Sequence, residues 1–141
     1  MTSSVDPHRL KLTNDEGTLG VLVGVRCREC GVPVFGPATF CQACTSTNLA
    51  PVEFASQGTL YSYTVVRVPP SGWPGPVPYI LGEIELPEGP HVLAEVVDAA
   101  ESDLRIGIDM ELALRSVEAF QGEEEVIVYK WRPQEKNKVK Q

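Results

Sequence analysis

Histidine is scarce in this chain, with only His8 and His91, and cysteine occurs just four times. No apolar stretch approaches the roughly 20 residues needed to span a bilayer. The opening Met-Thr-Ser-Ser-Val-Asp-Pro has no apolar run resembling a secretory leader. A cytoplasmic location with reduced cysteines is therefore the expectation. Basic residues are outnumbered 12 to 19 and the net charge is −7, so the basic footprint of a nucleic-acid binder is missing. Twelve prolines and twelve glycines argue against long helices and for short strands joined by turns. A length of 141 residues sets one domain, or one with a small appendage.

All four cysteines sit in two pairs, Cys27-Arg-Glu-Cys30 and Cys41-Gln-Ala-Cys44, with ten residues between them. A Cys-x-x-Cys turn places two thiolates on one side of a tight knuckle. A second knuckle folded opposite completes the tetrahedral four-sulfur shell that zinc prefers. Gly31 can take positive φ just after the first knuckle, and Pro33, Gly36 and Pro37 favour turns. Two disulfides would require an oxidising compartment. A redox dithiol would need one pair beside a βαβ pattern that this chain lacks. Iron suits the same four thiolates and stays open beside zinc. With four thiolates the shell is closed to water and substrate, so one ion held there is structural.

Residues 1–18 are polar and weakly patterned, and read as an arm that packs on a partner or stays mobile. Leu19 to Val25 is β-branched and leads as a strand into the knuckles, with the ribbon spanning residues 19–50. Leu49 to Phe54 reads as a short connector. From there to residue 133 the pattern is short strands with punctuation: Thr59–Val68, Tyr79–Leu86, His91–Val97, one carrying Met110, Leu112 and Leu114, and Val126–Trp131. Five strands in this span match the count of an OB-fold, against the alternative of a generic five-stranded barrel or half-sandwich. Residues 134–141, with three lysines, read as a disordered tail. The fold class is thus mainly β: a zinc ribbon followed by a five-stranded OB-fold barrel over residues 51–133.

The order and spacing of several segments add a resemblance. They are Cys27-x-x-Cys30-Gly31, Cys41-x-x-Cys44, Gly58-Thr-Leu-Tyr-Ser-Tyr-Thr-Val-Val66, Pro78-Tyr-Ile-Leu-Gly-Glu-Ile-Glu-Leu86, Leu104-x-Ile106-Gly107 and Val128-Tyr129-x-Trp131-x-Pro133. From Gly17 onward the chain resembles the zinc-ribbon/OB-fold family associated with acyl-CoA thiolases and aldolases. The resemblance implies a rubredoxin-like ribbon, then an OB domain. It also implies an accessory subunit in a hetero-oligomer with a thiolase-fold enzyme, sharing an acyl-CoA site, in lipid or aromatic acid degradation.

The residues left after the metal takes the cysteines agree with a non-catalytic role. A thiolase needs a cysteine nucleophile with a base, and no cysteine remains. His8 and His91 read as lone surface histidines, and Glu123-Glu124-Glu125 as a solvated turn. Partner binding suits the loop Arg67 to Tyr79, whose five prolines between Pro69 and Pro78 stiffen it and whose Trp73 offers a large anchor. Folding back to cap the barrel is an equal alternative for Trp73. Arg26, Arg28 and Arg67 are candidates for coenzyme A phosphates, with Trp73 and Tyr79 as further partner or acyl-CoA contacts. The competing reading is single-stranded nucleic-acid binding, with Tyr61 and Tyr63 on one strand face stacking bases.

Overall fold

A computed structural model describes residues 2–14, 16–72, 77–118 and 125–134. Among them are ten strands and a single turn of 3-10 helix, Glu101–Asp103. Five strands make the barrel: β6 (Gln57–Val66), β7 (Tyr79–Glu85), β8 (His91–Val96), β9 (Asp109–Glu118) and β10 (Glu125–Pro133). Antiparallel ladders join β6 to β7 and β7 to β8. β10 lies parallel to β8 through Trp131 opposite Val96, and antiparallel to β9. Pairing of β9 with β6 closes the ring, giving the circuit of an OB-fold. Alternation of apolar and polar residues turns Leu60, Ile84, Val92, Val96, Met110, Ile127 and Trp131 into its core.

The second sheet is built on β3 (Gly20–Cys27). β2 (Leu10–Leu12) and β4 (Pro33–Phe35) lie end to end along one edge of it. They meet at Val23, whose N–H donates to the Arg9 carbonyl at 2.9 Å and whose carbonyl accepts from the Gly36 N–H at 3.1 Å. β5 (Leu49–Glu53) takes the opposite edge. Gly24 is required at the crossing: a Cβ there would lie 2.0 Å from the Val34 carbonyl oxygen. Leu10, Leu22 and Phe54 from this sheet join the barrel side chains in a single buried cluster. Phe35 adds an edge-on ring contact with Tyr129 at 5.8 Å. One end of the ribbon is therefore anchored in the barrel core, and the other carries the knuckles.

Three expectations need correction. Residues 1–18 hold two strands: β2, and β1 (Thr2–Ser4), which runs parallel to β10. β1 is held by backbone pairing and by the Ser4 hydroxyl donating to the Leu10 carbonyl at 2.6 Å, neither of which writes an apolar period into the sequence. The connector after residue 49 is β5. The Phe54 N–H donates to the Leu22 carbonyl, so Pro51 directs its missing N–H away from β3, where an edge strand tolerates it. Finally, the ladder from β6 to β7 shifts register between Leu60 and Ser62. This bulge sends Tyr61 to solvent, 54% exposed, while Tyr63 packs against the core. The two tyrosines do not share a face.

Candidate metal centre

The knuckles repeat one backbone design. In the first, the Gly31 N–H donates to the Cys27 carbonyl at 2.9 Å and the Cys27 N–H to the Val32 carbonyl at 3.0 Å. In the second, the Thr45 N–H donates to the Cys41 carbonyl at 2.8 Å and the Cys41 N–H to the Ser46 carbonyl at 2.8 Å. Gly31 and Thr45 both sit at positive φ, 83° and 64°. Each turn aims amides at sulfur: the Cys30 N–H lies 3.5 Å from Cys27 Sγ, and the Ala43 N–H 3.4 Å from Cys41 Sγ.

Cys27 and Cys41 are buried, 1% exposed each, while Cys30 and Cys44 face solvent. Cys27 Sγ is 3.5 Å from Cys44 Sγ, Cys30 Sγ is 3.4 Å from Cys41 Sγ, and all four sulfurs lie within 4.8 Å of one another. Zinc–sulfur bonds of about 2.3 Å in a tetrahedron place sulfurs about 3.8 Å apart. The donor set fits such an ion in both chemistry and spacing. The Cys30 amide, with that of Glu29, pulls the Cys27 thiol down to about 6, and the Cys44 amide, with that of Ala43, lowers Cys41. At Cys44 the Ser46 amide acts the same way, but the crowded Cys27 sulfur, desolvation and the other two sulfurs outweigh it and the thiol rises to about 12. Cys30 is likewise raised, its Val32 amide outweighed by Cys41 and desolvation. The four sulfurs could hold a metal ion, and all four would be thiolates only with such a cation among them.

The other sequence candidates fall in two places. Arg26 is exposed and donates through Nη1 to the Gly31 carbonyl at 3.0 Å, bracing the first knuckle. Arg28 is exposed and its N–H donates to the Asn48 carbonyl at 2.9 Å, tying the end of β3 to the start of β5. Arg67 is exposed at the end of β6, and half-buried Tyr79 opens β7 opposite Val66, so these two flank the base of the proline loop. Trp73 lies outside the described residues, as do Glu123, Glu124 and the tail from residue 135.

The histidines also separate. His8 borders an open cleft of about 530 Å³ over Val23 and Val25, with Lys11 and Glu53 on its rim. His91 Nδ1 is 2.6 Å from Glu83 Oε2, and its ring meets Tyr61 at 4.5 Å between centroids. The Glu83 hydrogen bond raises the His91 pKa. Sequence reasoning missed Thr45, whose offset from Cys41 matches that of Gly31 from Cys27. It also missed Glu88, whose Oε2 accepts from the Ala55 N–H at 3.1 Å between barrel and ribbon. No helix among the described residues is long and apolar enough to cross a membrane.

Comparison with known proteins places these features. Residues 51–115 match the family described as ChsH2, C-terminal OB-fold domain. The chain is 33% identical over 112 residues to a DUF35 domain-containing scaffold protein of Methanocaldococcus jannaschii, covering 79% of each chain. It is 28% identical to the benzoylsuccinyl-CoA thiolase subunit BbsA of Thauera aromatica, over 83% of this chain and 79% of that one. Among solved structures, the Ltp2-ChsH2(DUF35) aldolase aligns with a TM-score of 0.63 at 30% identity, covering 80% of this chain and 84% of that one.

Proposed function

Because the chain belongs to the DUF35 family, we propose that it is a non-catalytic, zinc-binding accessory subunit of an acyl-CoA thiolase or related retro-aldolase complex. The observation that carries this reading is that relatives aligned over most of the chain are a thiolase subunit and a component of an aldolase. The knuckle geometry supports the metal half: four thiolates, each first cysteine buried, with amides directed at the sulfurs. Zinc in a closed shell supplies no catalysis and stabilises the end of the ribbon that the barrel core does not reach. The four cysteines being committed to it, no thiol is left to act as an acyl-transfer nucleophile.

In this reading the subunit holds a thiolase-fold partner and helps shape its acyl-CoA site. Arg67, Tyr79 and the loop they flank form one contact region, and Arg26 and Arg28 at the knuckle another. The chain would act in the cytoplasm, in lipid or aromatic acid degradation. The nucleic-acid reading loses its main support, because the bulge places Tyr61 and Tyr63 on opposite faces.

The test is native purification followed by mass spectrometry of co-eluting proteins and metal analysis. A thiolase-fold protein in a stable complex, with one zinc per chain, is the expected result. A chain that purifies alone, or with nucleic acid, overturns the subunit assignment. Red protein would replace zinc with iron.

A further inference from the structure

The sulfur geometry holds a second chemistry beside metal binding. The approaches of 3.5 Å and 3.4 Å both run between the knuckles, Cys27 to Cys44 and Cys30 to Cys41. Each of these pairs joins one exposed cysteine to one buried cysteine. A solvent-borne oxidant reaches Cys44 and Cys30, and each has a shielded partner sulfur within about an ångström and a half of disulfide bonding distance. We propose that the tetrad is a site of oxidative modification, in which cross-knuckle disulfides Cys27–Cys44 and Cys30–Cys41 form as the metal leaves.

With a peroxide as oxidant the electrons and atoms balance. With an ion bound, all four sulfurs are thiolates whatever the bare Cys44 thiol prefers, and Cys44 attacks the O–O bond, keeps one oxygen as a sulfenic acid and releases the other as water after protonation. The Cys27 thiolate then attacks that sulfur. The S–S bond forms, the S–O bond breaks, and the second oxygen departs as water. Cys30 and Cys41 repeat the sequence. Two peroxides and four protons are consumed, four waters form, and a divalent ion that has lost its four thiolates is released.

Topology gives the pairing its consequence. Links between residues 17 and 11 apart in sequence staple one knuckle to the other, as the metal does. Links within each Cys-x-x-Cys would leave the knuckles unconnected. The oxidised chain therefore keeps its ribbon without metal. Only the metal-release readout rests on the zinc assignment; the pairing can be read on reduced, metal-free protein too.

The experiment treats the full chain, zinc-loaded and metal-free, with two equivalents of hydrogen peroxide. Linkages are mapped by electron-transfer fragmentation of the unsubstituted protein, with a colorimetric chelator following metal release. Expected are the 27–44 and 30–41 linkages, release of the bound ion, and an oxidised product melting above the reduced metal-free chain. The Cys27→Ser/Cys44→Ser variant, which keeps Cys30 and Cys41, should form its disulfide at least tenfold faster than Cys41→Ser/Cys44→Ser, which keeps only the first knuckle. Linkages within a knuckle, disulfides between molecules, or sulfonic acids overturn the proposal. If the variants do not fold, the mapping of the unsubstituted chain decides alone. Protein that binds no zinc but forms the cross-knuckle pairs refutes the metal assignment and leaves this inference standing.

Discussion

Gly31 and Thr45 are structural equivalents: each follows a second knuckle cysteine, adopts positive φ, and returns its N–H to the carbonyl of the first cysteine. Glycine does this without a Cβ penalty, whereas a β-branched residue is strained there. The Thr45 hydroxyl donates to the Cys44 carbonyl at 2.6 Å and offsets part of that strain. Thr45→Gly should stabilise the metal-loaded protein by about 1 kcal/mol, and Gly31→Val should destabilise it by about as much or more. Thermal melts of the two variants, run at equal zinc occupancy, check the opposite signs.

Gly24 gives the largest single-atom effect. Adding one methyl forces β4 off β3, because the Cβ would overlap the Val34 carbonyl oxygen. Gly24→Ala should cost on the order of 3 kcal/mol and lower the affinity for metal, since β3 and β4 lead directly into and out of the first knuckle. Competition with a chromophoric chelator measures the second effect independently of the melt.

Removing the metal should act locally. The barrel cluster takes in Leu10, Leu22 and Phe54, so the anchored end of the ribbon survives. The knuckle amides of Cys27, Gly31, Cys41 and Thr45 lie outside that cluster and would depend on an ion held by the four sulfurs. Their hydrogen exchange should accelerate roughly tenfold or more on chelation, while that of β7 and β8 stays unchanged. Equal acceleration throughout would show that the two sheets unfold as one.

The bulge at Tyr61 can be read by paired truncations. Tyr63→Ala removes a ring packed on the core and should cost about 2 kcal/mol, whereas exposed Tyr61→Ala should cost less than about 1. Had the strand run straight through Tyr61, the two costs would be similar.

His91 sets a weak pH dependence. Its hydrogen bond to Glu83 raises its pKa above the ordinary 6.5, so the folded state binds the proton more tightly than the unfolded chain does. The resulting stabilisation is full below pH 6.5 and fades as pH climbs through the raised value. The pair is surface-lying, so the effect is on the order of 0.5 kcal/mol. Melts of the parent and Glu83→Gln from pH 5 to pH 9 should converge at the alkaline end. NMR titration of the ring gives the pKa directly.

How much of this was legible follows from where the information lies. The knuckles were readable because paired, closely spaced cysteines are what a four-sulfur cluster requires. The barrel strands were readable because one face of each is buried, which imposes a period of two on residues such as Ile80, Ile84 and Leu86. β1 was not, because its partners are backbone atoms of β10 and any short polar segment can supply them. β5 was masked by Pro51, which looks like a breaker until the direction of its missing N–H is known. Tyr-Ser-Tyr reads as perfect alternation, and the register shift that separates the two rings is set by β7, some twenty residues away in sequence. The candidate contact residues divided because Arg26 and Arg67 look alike in sequence, while Arg26 stands on β3 of the ribbon and Arg67 just past β6 of the barrel.

The buried cluster that unites ribbon and barrel also bears on where the chain can be cut. The matched OB segment, residues 51–115, stops before β10 and so omits Trp131 and Ile127. It begins after Leu10 and Leu22. A fragment cut at those limits would lack β10 and the end of β9, and with them core side chains supplied from both ends of the chain. Expressed alone, such a fragment should expose the apolar inner face of the barrel that Leu10, Leu22, Ile127 and Trp131 otherwise cover.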